Sequence, residues 1–262
     1  MTFPVIFHPF GIPLPAHAVF ELAGYTLGFQ FYLWLRRRSP AQRVPIEQNM
    51  WVIVGCVFGA LIGSKILALV ESPIDYWNIR ADPRAFIGGK TIVGGVLGGW
   101  IGVEIAKRRL GIHRSTGDLF VFPLCLGMAI GRIGCFLTGL PDHTYGIHSS
   151  LPWAVDFGDG PRHPTQLYEA VFLVLFAIAL RLLIGRSRSP GVLFRLFLGG
   201  YLCFRFLIEF IKPRYNPYLG LSAIQVASLI GASLCVIHLV SGRGMGANHS
   251  PTPALSSAEP IP

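Results

Sequence analysis

Two arginines, Arg132 and Arg205, stand inside the apolar runs LFVFPLCLGMAIGRIGCFL and VLFRLFLGGYLCFRFLIEFI, where bilayer-crossing helices are expected. Placing a guanidinium in hydrocarbon costs at least about 2.5–3.5 kcal/mol, so its presence asks for a reason. Arginine cannot shed its proton to escape that cost, and its planar fork matches the oxygens of a phosphate or carboxylate. Such cations point to the handling of a lipid headgroup or another anion. Glu209 follows Arg205 by four residues and shares its helical face, so mutual neutralisation is the simpler account of that pair. It leaves Arg132 unexplained.

A second group of polar residues closes the long fourth loop in the run RHPTQLYEA. Pro164 suits the first turn of a helix, with His163 just before it. Gln166 and Glu169 are three apart and share that helix's outer face. Glu169 reads equally as an acid or base, as an orienter of an arginine, or as a carboxylate favoured by the helix dipole. His143, His148 and His163 all lie in this loop without HxxxH or HExxH spacing, so a titrating base suits one of them better than a metal site. No metal or other cofactor is expected.

The elements that position these residues are membrane helices. Hydrophobic residues make up 52% of the 262, and only 13% are charged, about half the share usual in soluble domains. The net charge of +9 would suggest nucleic acid in a soluble protein, but here the basic residues cluster between apolar segments as topogenic charge does, so no nucleic-acid partner is expected. The five cysteines fall inside apolar segments with no CxxC pair, which supports neither a zinc site nor a disulfide framework. No basic n-region with a small-residue cleavage site opens the chain, so no cleaved signal peptide is expected.

Seven stretches are long enough to span, near 17–35, 50–70, 91–107, 119–137, 167–184, 192–211 and 221–240. The first, third and fifth loops and the tail hold twice as many Lys and Arg as the second, fourth and sixth. The positive-inside bias therefore predicts an outside amino terminus and a cytoplasmic carboxyl terminus. Lys65, mid-span, is expected to pack against Glu104 or to snorkel, and Arg195 to snorkel near its boundary. Gly55, Gly59 and Gly63 repeat every fourth residue, as do Gly94 with Gly98, Gly95 with Gly99 and Gly127 with Gly131. Such faces let helices approach closely; Gly88, Gly89, Gly94 and Gly95 would also loosen the entry of the third span. The expected organisation is an all-α, polytopic seven-helix membrane domain over 1–240 and a disordered cytoplasmic tail over 241–262.

GRIGCFLTG, HPTQLYE and RFLIEF, in this order on seven spans with GGVLGG in the third, resemble blocks of the bacterial prolipoprotein diacylglyceryl transferases over essentially residues 10–240. The resemblance implies transfer of the diacylglyceryl group of phosphatidylglycerol to the lipobox cysteine of a prolipoprotein, with release of glycerol phosphate. It implies a setting among the lipids of the bacterial inner membrane, with the active site on its periplasmic side. Arg132 and Arg205 would hold the lipid phosphate, joined by Gln166, with Glu169 and Glu209 orienting them or moving protons. The chain departs from the family signature, roughly GRxGNFxNxExxG. Cys135 and Thr138 replace its asparagines, Leu140 its glutamate, and PDHTY is inserted before Gly146. Val93 and Phe20 stand where a His or Tyr and a Tyr are usual. Asp142, His143, Thr144 and Tyr145 offer substitutes, and His143 or His163 is the expected replacement for the lost base. Rival readings are a phosphoglyceride-dependent transferase with another acceptor, a non-catalytic phospholipid-binding membrane protein, and, more weakly, an anion transporter, against which the absence of internal repeats counts.

Overall fold

The computed structural model of the chain describes residues 2–39, 44–73, 89–183, 189–213 and 218–245. Seven long helices dominate them: α1 (Ala16–Arg38), α2 (Ile46–Glu71), α3 (Ile92–Arg109), α4 (Val121–Thr138), α5 (Thr165–Leu183), α6 (Val192–Ile208) and α7 (Ala223–Met245). Each falls on one of the predicted apolar stretches. Segments Ile46–Glu71, Gly117–Thr138, Thr165–Leu182 and Ala223–Ser241 are long and apolar enough to cross a membrane. The protein is thus a mostly helical membrane protein. Its outward surface is apolar, with Leu22, Phe58, Ile62, Leu175 and Ile230 all exposed, as lipid rather than water would require. The α7 helix runs past the predicted span end to Met245. The tail from 246, Gly88, Arg80, Arg84 and several of the counted loop arginines lie outside the described residues.

The helices associate as neighbours in pairs: α2 with α3, α1 with α4, α4 with α5 and α6 with α7. Lipid tails supply no hydrophobic drive between helices, so these contacts depend on close backbone approach. The α2–α3 seam is a glycine ladder in which Gly55 faces Gly102, Gly59 faces Gly98 and Gly63 faces Gly94. A Cβ at Gly98 would lie 2.2 Å from the Gly59 carbonyl oxygen, and one at Gly59 would lie 2.3 Å from that of Gly98. Gly94 therefore serves close contact with α2. On α4, Gly127 meets Gly24 of α1, whereas Gly131 has nothing within 4 Å of its Cβ position.

Basic residues find carbonyls. Lys65 Nζ donates to the Gly89 carbonyl at 2.9 Å, while Glu104 is taken by Lys107 at 2.9 Å, so snorkelling describes Lys65 and the Glu104 contact does not form. Arg195 donates through Nε to Gly191 O at 3.0 Å and through Nη1 to His238 O at 2.9 Å, joining α6 to α7.

Two short antiparallel hairpins cover one end of the bundle. In the first, β1 (Ile6–Phe7) pairs with β2 (Leu14–Pro15), and Val5 N donates to Leu137 O at 2.9 Å. Phe3 meanwhile packs on Phe136 and Phe157, fixing this segment over the end of α4. In the second, β3 (Val155–Asp156) pairs with β4 (Pro161–Arg162) directly before α5. Its turn is held by Asp156 Oδ1, which accepts from Gly158 N and Gly160 N, and by a two-pronged Arg162–Asp159 pair. The linking segment is tied down at Gly146, whose N–H donates to His163 O, and at Ile147, whose N–H donates to Ile211 O, each at 2.9 Å. A side chain at Gly146 would strike His163 Cβ at 2.6 Å, so glycine is required where the loop crosses the start of α5. These ties bring the ends of α4, α5 and α6 together.

Gly98→Val should destabilise the protein by at least about 1–3 kcal/mol, because the obstructing atom is backbone and cannot rotate away. Gly131→Ala should be neutral or slightly stabilising. Unfolding in mixed micelles at rising SDS fraction measures both.

Candidate active site

The last turns of α4, the first turn of α5 and the last turns of α6 converge on one carboxylate. Glu169 Oε2 accepts from Arg132 Nη2 at 2.9 Å and from Arg205 Nη1 at 2.9 Å, while Oε1 accepts from the Tyr201 hydroxyl at 2.7 Å. Arg205 Nη2 reaches Glu209 Oε2, also at 2.9 Å, in the single 3-10 turn Glu209–Ile211 that ends α6. All of these side chains are buried, with Glu169 only 1% exposed. Two guanidiniums repel each other strongly in such surroundings unless an anion stands between them. Glu169 is that anion, and with three donors on its carboxylate it orients the arginines rather than standing as an open base.

The spacing that assembles this group is local on each helix. Tyr201, Arg205 and Glu209 recur every fourth residue on one face of α6, and Gln166 and Glu169 share one face of α5. Pro164 sits one residue before the helix, and its carbonyl accepts the first N–H groups, from Leu167 and Tyr168. Arg132 Nε, Arg205 Nε and both amide atoms of Gln166 are buried with no hydrogen-bond partner among the described residues. Buried polar atoms in that state cost about 1–3 kcal/mol each, so each asks for a functional account.

Lys212, just past α6, adds a third cation. Burial, and then the proximity of Arg205, lowers its pKa to about 8. Arg132, Arg205, Glu169 and Glu209 thus form one ion group, and Gln166 is buried three residues before Glu169 on α5. His143 and His163 have other neighbours. His143 is exposed on a left-handed turn residue with φ 54°. His163 Nδ1 lies 3.1 Å from the Tyr168 hydroxyl, which also accepts from Trp153 Nε1 at 2.8 Å. Tyr201 and Lys212 went unread in the sequence, although Tyr201 carried a signal in its four-residue spacing from Arg205.

The inserted segment does reach this region. Asp142, held by the Thr144 hydroxyl, lies beside Cys135 and His17, and ligand atoms of these three residues fall within 4.8 Å of one another. Such a nitrogen, sulfur and oxygen set resembles a metal site in composition. Arg132 Nη1, however, stands 3.7 Å from Cys135 Sγ, and that fixed positive charge opposes a cation there.

Comparison with known proteins bears on the same residues. The family model described as prolipoprotein diacylglyceryl transferase matches residues 4–241. The chain belongs to the prolipoprotein diacylglyceryl transferase family. Relatives named phosphatidylglycerol–prolipoprotein diacylglyceryl transferase include one from Nitratidesulfovibrio vulgaris (strain DSM 19637 / Miyazaki F), 35% identical over 225 residues that cover 81% of this chain and 82% of the relative. Another, from Pasteurella multocida (strain Pm70), is 36% identical over 245 residues, covering 85% and 87%.

Within this family the chain's departures have visible consequences. Val93 is buried among Leu198, Leu202 and Cys235, an apolar setting with no proton to move. Thr138 Oγ1 donates to Gly134 O at 2.9 Å inside its own helix. Phe20 packs on Gly134, where a Cβ would meet it at 2.8 Å. At Cys135, with Asp142 beside it, this chain places polar groups next to Arg132.

Removing Glu169 should leave two buried guanidiniums facing each other. Glu169→Ala is expected to cost about 3–5 kcal/mol, and Arg132→Ala in that background to recover part of the loss. A double-mutant cycle of unfolding free energies in micelles checks this.

Proposed function

We propose that this protein transfers the diacylglyceryl group of phosphatidylglycerol to the thiol of a lipobox cysteine in prolipoproteins, releasing glycerol phosphate. One observation supports this above the others. Two buried guanidiniums converge on a shared carboxylate while keeping Nε donors that have no partner among the described residues, where three helices meet. A phosphodiester is the anion that such donors suit, and phosphate is also the leaving group. Charge that builds on its oxygens during transfer would be met by Arg132 and Arg205, already oriented by Glu169 and Glu209. Gln166 would supply a neutral hydrogen bond to the same headgroup.

The proposed setting is the bacterial inner membrane, with all seven helices spanning, the amino terminus outside and the carboxyl terminus cytoplasmic. Lys and Arg are twice as frequent in the loops that this arrangement assigns to the cytoplasm. The ends of α4 and α6 and the start of α5 then lie together at the periplasmic side, where a lipobox cysteine would be presented.

Purified protein given labelled phosphatidylglycerol and a lipobox peptide should label the peptide and release glycerol phosphate. Arg132→Lys and Arg205→Lys should each lower kcat/KM by about 100-fold or more, because lysine lacks the two-pronged geometry. Donor turnover with no peptide labelling would instead identify another acceptor, and lipid binding with no glycerol phosphate release would identify a non-catalytic lipid-binding protein. Lys212 adds a pH dependence. Below about pH 8 it is protonated and three cations face two carboxylates; above it that surplus positive charge is lost. Donor KM should therefore rise as pH passes 8, and Lys212→Met should flatten that rise.

A further inference from the structure

We infer that His17, whose Nδ1 faces Asp142, takes the proton from the acceptor thiol; this rests on the transfer reaction proposed above. A thiol with a pKa of about 8.5 is mostly protonated near neutrality, and only its thiolate attacks carbon well. A nearby group must accept that proton. Glu169 is committed to three donors and Glu209 to Arg205, so neither carboxylate is open. His163 is engaged with Tyr168, and His143 points from an exposed turn.

His17 is differently placed. It is the second residue of α1, and its backbone is pressed against the end of α4, where a Cβ on Gly134 would lie 3.3 Å from His17 O. Its Nδ1 is enclosed and lies 3.5 Å from Asp142 Oδ1, while the side chain as a whole is 37% exposed. Nε2 stands 3.7 Å from Glu21 Oε2, beyond hydrogen-bond reach, and so is the ring atom left for a substrate. A single residue, Cys135, separates the imidazole from the Arg132 guanidinium. The base and the proposed phosphate site are therefore adjacent without blocking each other.

Two carboxylates face the His17 ring. Glu21 faces it from its own helix, itself paired with Lys90 at 3.2 Å and accepting from the Tyr25 hydroxyl at 2.9 Å. Asp142 faces it from the turn after α4, and Cys135 from α4, with Arg132 beyond as the opposing charge.

In the proposed step the thiol proton passes to His17 Nε2, and the sulfur electron pair forms a bond to the glycerol carbon that bears the phosphate. The carbon–oxygen bond breaks, its electron pair leaving on the phosphate oxygen, and glycerol phosphate departs. His17 then returns its proton to solvent through its exposed edge.

The test measures kcat for peptide labelling at saturating donor from about pH 6 to 10, for wild type, His17→Gln and Asp142→Asn. His17→Gln should lose about 100-fold near pH 7, with an unchanged donor KM. The loss should close as pH passes about 8.5 and the thiol ionises unaided. Asp142→Asn should stay active and shift the acidic limb of the kcat profile to lower pH, a movement that a merely structural role would not produce. A loss in His17→Gln that is the same at every pH, an acidic limb that Asp142→Asn leaves in place, or wild-type activity abolished by EDTA and restored by zinc would each overturn the assignment. Wild-type protein that labels no peptide at any pH would overturn the transfer reaction itself, and the role of His17 with it.

Discussion

The carboxylate of Glu169 is the point on which the structure turns. It lies in an interior where charges are weakly screened, and it allows two guanidiniums to occupy one site that their repulsion would otherwise forbid. The three partners come from three helices, so the ion group fixes how α4, α5 and α6 meet. Tyr201 and Glu209 complete the geometry without closing it, because Nε of each arginine and the Gln166 amide have no partner among the described residues. Those leftover donors are what the proposed headgroup would use, and a site fully satisfied internally would have none.

Holding charges at this depth demands a rigid frame, and the frame is built from small residues. The ladder of Gly55, Gly59 and Gly63 against Gly102, Gly98 and Gly94 locks α2 to α3, and Gly24 against Gly127 sets α1 beside α4. The second contact has a chemical consequence. It brings the start of α1 to the end of α4, which is how His17 comes to lie next to Cys135 and Asp142. The replacement of family asparagine and glutamate by Cys135 and Leu140, together with the inserted PDHTY, is then a rearrangement of polar groups around Arg132 rather than a simple loss.

The sequence by itself determined the class of molecule, because composition and apolar run length answer to the solvent and need no partner. It also marked Arg132, Arg205, Glu169, Glu209 and Gln166, since charge inside an apolar helix stands out in one dimension and three- or four-residue spacing reveals a shared face. Tyr201 was legible by the same rule, four residues before Arg205. What only the tertiary structure decided was which of these groups touch, and which neighbours they have. That Glu169 binds both arginines, that Lys212 is buried beside them, and that His17 meets Asp142 across more than a hundred residues are results of helix packing. Helical periodicity fixes which side chains share a face, but not which faces meet, because that choice is made by backbone contacts between segments far apart in the chain. His17 shows the limit: nothing in its sequence neighbourhood points to Cys135 or Asp142, and only the packing of the first helix on the fourth brings them together.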